Sequence, residues 1–247
     1  MTCWKHPIKA IIFDNDGTFL DTMPFYIEAS NQTLGKPIPQ EFLNSINGMD
    51  DFTVSRKIVE EYKLDVSAED FFIKRNEYVD QHLPDSKPFP GVIELIDNFK
   101  KRGYKVGLAT SAEAEKTKLK FSKNPDILNV FDAVTTKSDV TKAKPDPEIF
   151  FKCAEKLGNI DPSNILVFED AVNGIKAANA AGMASAFFAN GDNDYHKIFE
   201  KCGGNPSYVF HSYNEFDMSK FIWTWKIIIL KSSNPKFKPL KIFFKKT

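Results

Sequence analysis

In the run Ala10-Ile11-Ile12-Phe13 every position is apolar, and the run stops at two acids spaced one residue apart, Asp14 and Asp16. A strand exposed on one face would alternate, so this run predicts a short strand covered on both faces, with Asp14 at its carboxyl end. The pattern then turns helical and stays so to about Leu83. Residues 25–34 end at Gly35, a natural helix stop, and residues 40–46 form a short second helix. Residues 52–62 carry Val54, Ile58, Val59 and Tyr62 at helical spacing, and Ser67-Ala68-Glu69-Asp70 has the form of a capping box opening a further helix.

From Gly91 the rhythm alternates. A helix over 92–102 stops at Gly103 and feeds a strand over 105–109; a charged helix begins near Glu113. Strands at 133–135, 165–168, 184–188 and 208–210 are separated by helices at 147–157 and 171–181. Alternating strands and helices argue for crossover units and a parallel sheet. The expected fold is α/β: a Rossmann-like parallel sheet flanked by helices, with a small all-helical domain inserted. The core is expected at 1–20 and 88–216, the inserted cap at 21–87, and an atypical Lys-rich tail at 217–247.

Composition narrows the function classes. The chain has 247 residues, 42% hydrophobic and 27% charged, with a formal net charge of +0, so no global field points to nucleic acid or to a membrane. The start, Met1 to Pro7, is polar and lacks the apolar core of a signal peptide, which makes the cytoplasm the expected location; a monomer is the expected state. Cys3, Cys153 and Cys202 are without metal-ligand spacing and read as reduced structural or surface thiols. From Ser219 onward lysines recur without any acid, among Trp223, Trp225 and Phe243-Phe244. Two readings stand for this tail: a basic, apolar partner or membrane-surface segment, or an end outside the catalytic fold.

Four stretches carry candidate chemistry. Asp14 and Asp16 can lean to one side of the sheet edge, where Gly17 lets a ligand approach and Thr18 offers a hydroxyl; all four also suit an ordinary turn. Thr110-Ser111 follows a strand directly, so a hydroxyl and free amides can hold phosphate oxygens or simply cap a helix. Lys144, in Ala-Lys-Pro-Asp-Pro, is kept outside the next helix by prolines; it suits neutralisation of an acyl phosphate, or is a solvated surface charge. Glu169-Asp170 ends another apolar run and offers hard oxygens suited to Mg²⁺, with Asp170 as a plain helix cap the alternative.

Phe-Asp-Asn-Asp-Gly-Thr, Leu-Ala-Thr-Ser, Lys-Pro-Asp-Pro and Phe-Glu-Asp-Ala-Val-Asn-Gly-Ile together resemble the four ordered motifs of the haloacid dehalogenase superfamily. The likeness covers about residues 8–216 and is to the helical-cap branch that includes pseudouridine-5'-phosphatase-like and β-phosphoglucomutase-like proteins. The resemblance implies a phosphatase acting on a small phosphorylated metabolite with Mg²⁺. It implies that Asp14 is the nucleophile and Asp16 the acid and base, its backbone carbonyl also reaching the metal. Thr110, the Ser111 amide and Lys144 would hold the phosphoryl oxygens; Glu169 and Asp170 would complete the metal ligands with Asp14 and Asp16.

Asn15 departs from the apolar residue common at its position. A sugar-phosphate mutase would use a cap arginine for a second phosphate and a histidine early in the cap. Here the loop Asn47-Gly48-Met49-Asp50-Asp51 offers acids, and Phe25-Tyr26 stands where the histidine is expected. A non-catalytic binding protein on the same fold is the other alternative.

Overall fold

The computed structural model describes residues 4–46, 49–190 and 195–224. Cys3, Asn47, Gly48 and the Lys-rich end beyond Thr224 lie outside the described residues. Six strands form one parallel sheet: β1 (Ala10–Phe13), β2 (Lys105–Ala109), β3 (Ala133–Thr135), β4 (Ile165–Glu169), β5 (Ala184–Phe188) and β6 (Tyr208–Phe210). Their order is β3-β2-β1-β4-β5-β6. The chain therefore builds outward from β1 in one direction and, from β4 on, in the other. Between β1 and β4 the topology switches, and the carboxyl ends of strands flanking such a point leave a crevice for ligands.

The uninterrupted apolar runs follow from cover on both faces. On one, Ile11, Phe13, Leu108 and Phe168 pack with Val92, Ile96 and Phe99 of α5 (Val92–Lys101). On the other, Ala10, Ile12 and Val167 pack with Phe150 and Cys153 of the helix Glu148–Lys156 and with Ala177 and Ala178 of the helix Val172–Ala180. Side chains alternate across β1, yet neither side meets water, so no polar residue is placed there.

Four helices stand between β1 and α5: α1 (Met23–Leu34), α2 (Gln40–Ile46), α3 (Asp51–Tyr62) and α4 (Ala68–His82). They hold apolar clusters of their own, Ile38, Val54, Ile58 and Phe71 in one and Ala29, Val79 and Leu83 in another. Asp50 caps α3 through the Thr53 amide and Ser67 caps α4 through the Asp70 amide. The two crossings to the sheet are tied together, since Asp21 N donates to Lys87 O and Phe89 N to Phe19 O. Three further helices complete the core beside α5: α6 (Ala114–Lys120), α7 (Glu148–Lys156) and α8 (Val172–Ala180). Among the described residues there is also α9 (Tyr195–Cys202), which the sequence pattern does not predict. It packs Tyr195 and Phe199 against Ile175 and Phe187.

The start of the tail is part of this structure. Phe221 is buried, the Trp223 ring stacks on Phe99 at 5.3 Å, and Ile8 N donates to Ile222 O. Cys153 is buried and Cys202 exposed, both as free thiols. Among the described residues no helix is long and apolar enough to cross a membrane.

Candidate active site

Asp14 continues the β1 ladder by donating its amide to Phe168 O, which sets its carboxyl beside the end of β4. The chain then turns at once: Phe19 and Leu20 amides both reach Asn15 O, and Gly17 takes φ +80°, a conformation that a side chain would strain. Glycine is needed there for space as well. A Cβ on Gly17 would lie 2.2 Å from Asp170 Oδ2.

Lys144 Nζ donates to Asp14 Oδ1 at 2.5 Å and to Glu169 Oε1 at 2.7 Å, with its side chain only 7% exposed. The surface-charge reading of this lysine is thereby excluded. Its loop is shaped from within the chain, because Glu148 Oε2 accepts from the amides of Thr141 and Lys142. Glu169 is the last residue of β4, and its other oxygen accepts from the Ala171 amide. Asp170 is not a helix cap: the N-cap of α8 is Ala171, and Asp170 Oδ1 accepts instead from Thr18 Oγ1 at 2.7 Å.

Ligand atoms of Asp14, Glu169 and Asp170 lie within 4.8 Å of one another. This all-oxygen set, with Gly17 clearing the space beside Asp170, fits a hard divalent cation such as Mg²⁺. The electrostatics agree with that. Burial, and then the neighbouring carboxylates, push Asp14 well above the usual range despite Lys144, and push Asp170 up to about 7. Lys144 is moved upward too, because the charges of Asp14 and Glu169 outweigh the effect of burial. Three acids facing one ammonium leave negative charge that a cation would neutralise.

Asp16 belongs to a different environment. Its side chain accepts from Lys120 Nζ at 2.5 Å, Thr22 Oγ1 at 2.9 Å, Asn15 Nδ2 at 3.4 Å and Thr110 Oγ1 at 3.5 Å. Burial raises its pKa, but the Lys120 charge and these hydrogen bonds more than offset this and hold it below the ordinary value. Thr110 is fully buried and also accepts from the Ala112 amide, while Ser111 is exposed beside it; the N-cap of α6 is Glu113, so neither caps that helix. Asn15 is fully buried, and its Oδ1 has no hydrogen-bond partner.

Three partners escape sequence reasoning. Lys120 lies in a charged helix and reads as surface, although Thr117 and Phe121 place it on the buried stripe at helical spacing. Thr22 reads as a turn residue. Arg75, 3% exposed, donates to Ser30 Oγ and to Asp51 Oδ1, and its guanidinium lies 5.4 Å from the centre of the Tyr26 ring. Of the two acids of the cap loop, Asp51 is therefore paired with Arg75, and Asp50 is occupied in capping α3.

The site has counterparts in known proteins. A model of the haloacid dehalogenase-like hydrolases matches residues 11–188. The chain is 32% identical over 180 residues to the phosphorylated carbohydrates phosphatase of Thermotoga maritima, covering 71% of this chain and 82% of that one. It is 31% identical to a Drosophila melanogaster protein described as a probable pseudouridine-5'-phosphatase, covering 70% of this chain and 78% of that one. Among solved structures, β-phosphoglucomutase from Clostridium difficile superposes with a TM-score of 0.67 at 25% identity, over 86% of this chain and 94% of that chain. The matched segment runs from β1 through β5 and takes in the helical insertion, and on that extent the chain belongs to the haloacid dehalogenase-like hydrolase family.

Proposed function

We propose that this phosphoric monoester hydrolase of the haloacid dehalogenase-like family cleaves a small sugar- or nucleoside-phosphate-like metabolite through an aspartyl-phosphate intermediate, with Mg²⁺. The observation that supports this most is the placing of Asp14 at a sheet edge against Lys144 and the Glu169–Asp170 pair.

Asp14 attacks phosphorus in line, and the phosphorus–leaving-oxygen bond breaks as the new bond forms. Asp16 takes up a proton from solvent, against the pull of Lys120, and gives it to the leaving oxygen; in the second half the resulting carboxylate takes one from the water that attacks the acyl phosphate, inorganic phosphate departs, and the acid is restored. Lys144, Thr110 and the Ser111 amide hold the phosphoryl oxygens in line. Asp14, Glu169, Asp170 and the Asp16 carbonyl would hold Mg²⁺, which supplies charge neutralisation at those oxygens when bound. The α1–α4 insertion reads the leaving group. Tyr26 in place of a histidine, and Arg75 already held by Ser30 and Asp51, argue for hydrolysis over mutase transfer.

The test is hydrolysis of 4-nitrophenyl phosphate with and without Mg²⁺, followed by a panel of sugar and nucleoside monophosphates. Mg²⁺-dependent phosphate release is expected. Equal release in a chelator would remove the metal from the reading, and no release from any member would leave the binding-protein alternative standing.

A further inference from the structure

Lys120 is the last residue of α6, and its side chain is 0% exposed. Asp16 is its one carboxylate partner among the described residues. As a stabilising device such a pair is poor, because desolvating an ammonium consumes most of the attraction and an apolar pair would do as well. As a positioning device it is effective. Lys120 grips Oδ2 of Asp16 while Thr22, also fully buried, grips Oδ1, so the carboxylate is held at both oxygens. A side chain pinned at both ends of its carboxyl has one orientation, which a group that must meet a leaving oxygen requires. The other end of α6 is fastened too. Lys116, one turn earlier on the same stripe, donates to Asn76 Oδ1 and lies 3.5 Å from Asp80, both on α4 of the helical insertion.

Resting on the acid and base role given above to Asp16, we propose that Lys120 is a positioning residue for that step: it orients the Asp16 carboxylate, from a helix that is itself anchored to the insertion covering the site. Lys120 touches neither the nucleophile nor the metal-binding carboxylates; it acts on proton transfer to the leaving group and not on phosphoryl binding.

Lys120→Met is compared with the unaltered protein on glycerol phosphate, whose alkoxide leaves poorly, and on 4-nitrophenyl phosphate, whose leaving group needs little protonation. Expected is a kcat loss about tenfold or more greater on the alkyl than on the aryl ester, at a KM changed by no more than about twofold, since acid–base assistance is worth several powers of ten. Adding Lys120→Met to Asp16→Asn should cost nothing further on the alkyl ester. A merely structural lysine would lower both rates in proportion to lost folded protein, and proportional loss overturns the proposal. Should Lys120→Met fail to fold, Lys120→Arg, which keeps the charge and displaces it, is held to the same alkyl-over-aryl criterion. Asp16→Asn alone separates the two levels: if it discriminates between the esters and the Lys120 variants do not, only the positioning role is lost, and if it does not discriminate, the acid and base reading falls with it.

Discussion

Thr18 Oγ1 donates to Asp170 Oδ1 across 2.7 Å, joining the turn after β1 to the turn after β4 and aligning two of the stretches proposed to carry the chemistry. Its neighbour Gly17 makes room for the same carboxylate. Thr18→Val should cost about 1–2 kcal/mol through the lost hydrogen bond and raise the Mg²⁺ needed for half-maximal rate. Gly17→Ala should be worse on both counts, because the methyl would occupy the Asp170 position and the backbone would be strained at φ +80°. Metal titrations of activity, with melting curves alongside, check the order; equal metal dependence in both variants would detach the Gly17–Thr18 turn from the metal site.

Asp14→Asn should abolish turnover and leave the melting temperature unchanged or higher. The amide is isosteric but cannot attack phosphorus, and it removes one of three acids crowded together. Measurable Mg²⁺-dependent hydrolysis by the pure variant would show that another group is the nucleophile.

Stability should fall with rising pH when Mg²⁺ is withheld. Asp170 moves from an ordinary 3.8 to about 7 on folding, so the folded chain keeps a proton that the unfolded chain has released. That contribution is complete below about pH 4 and is lost as pH climbs through 7; Asp14, shifted the same way, adds to it. Asp16, Asp50 and Asp139 are shifted downward, so their opposite contributions are already complete at about pH 5. Between about pH 5 and pH 8 the melting temperature should therefore decline, and Asp170→Asn should flatten the decline. Mg²⁺ displaces the proton, so it should stabilise more at the upper end of that range than at the lower. A melting temperature that rises across this window in chelator would contradict the assignment.

What was legible beforehand has a physical basis. The central strands are short and doubly covered, so apolar runs such as 10–13 and 165–168 mark themselves. The acids stand out because they end those runs. Helix α9 was missed because the stretch is bracketed by Asp, Asn and Gly residues, and only Tyr195 and Phe199 signal its packed face. Lys120 and Arg75 escape for another reason: each is buried through a partner on another element, Asp16 and Asp51 respectively, and helical spacing does not name a partner.

The chain's end separates into two parts under truncation. Removing residues 225–247, which lie outside the described residues, should leave turnover of a small substrate within a few-fold, since every proposed catalytic group precedes them. Cutting before Phe221 also removes Phe221 and Trp223 from the core around Phe99, and burial of two such rings is worth about 2–3 kcal/mol each. Circular dichroism melts and specific activities of the two proteins decide. Loss of activity without loss of fold in the longer truncation product would place the tail in the site.

The pairing of Ala10 with both Lys105 and Ile165 sets a timetable for the chain as it is synthesised. The strand bearing Asp14 leaves the ribosome first, yet its two neighbours follow only after the helical insertion and after β3, many seconds later at ~5–20 residues per second. Helices α1 to α4, with local contacts and clusters of their own, can close up in the interval, while Ala10–Phe13 waits unpaired on both edges. The nascent chain thus exposes this apolar strand for as long as its neighbours are unmade, and the proposed catalytic centre, assembled from β1, β2 and β4, cannot exist until β4 has emerged.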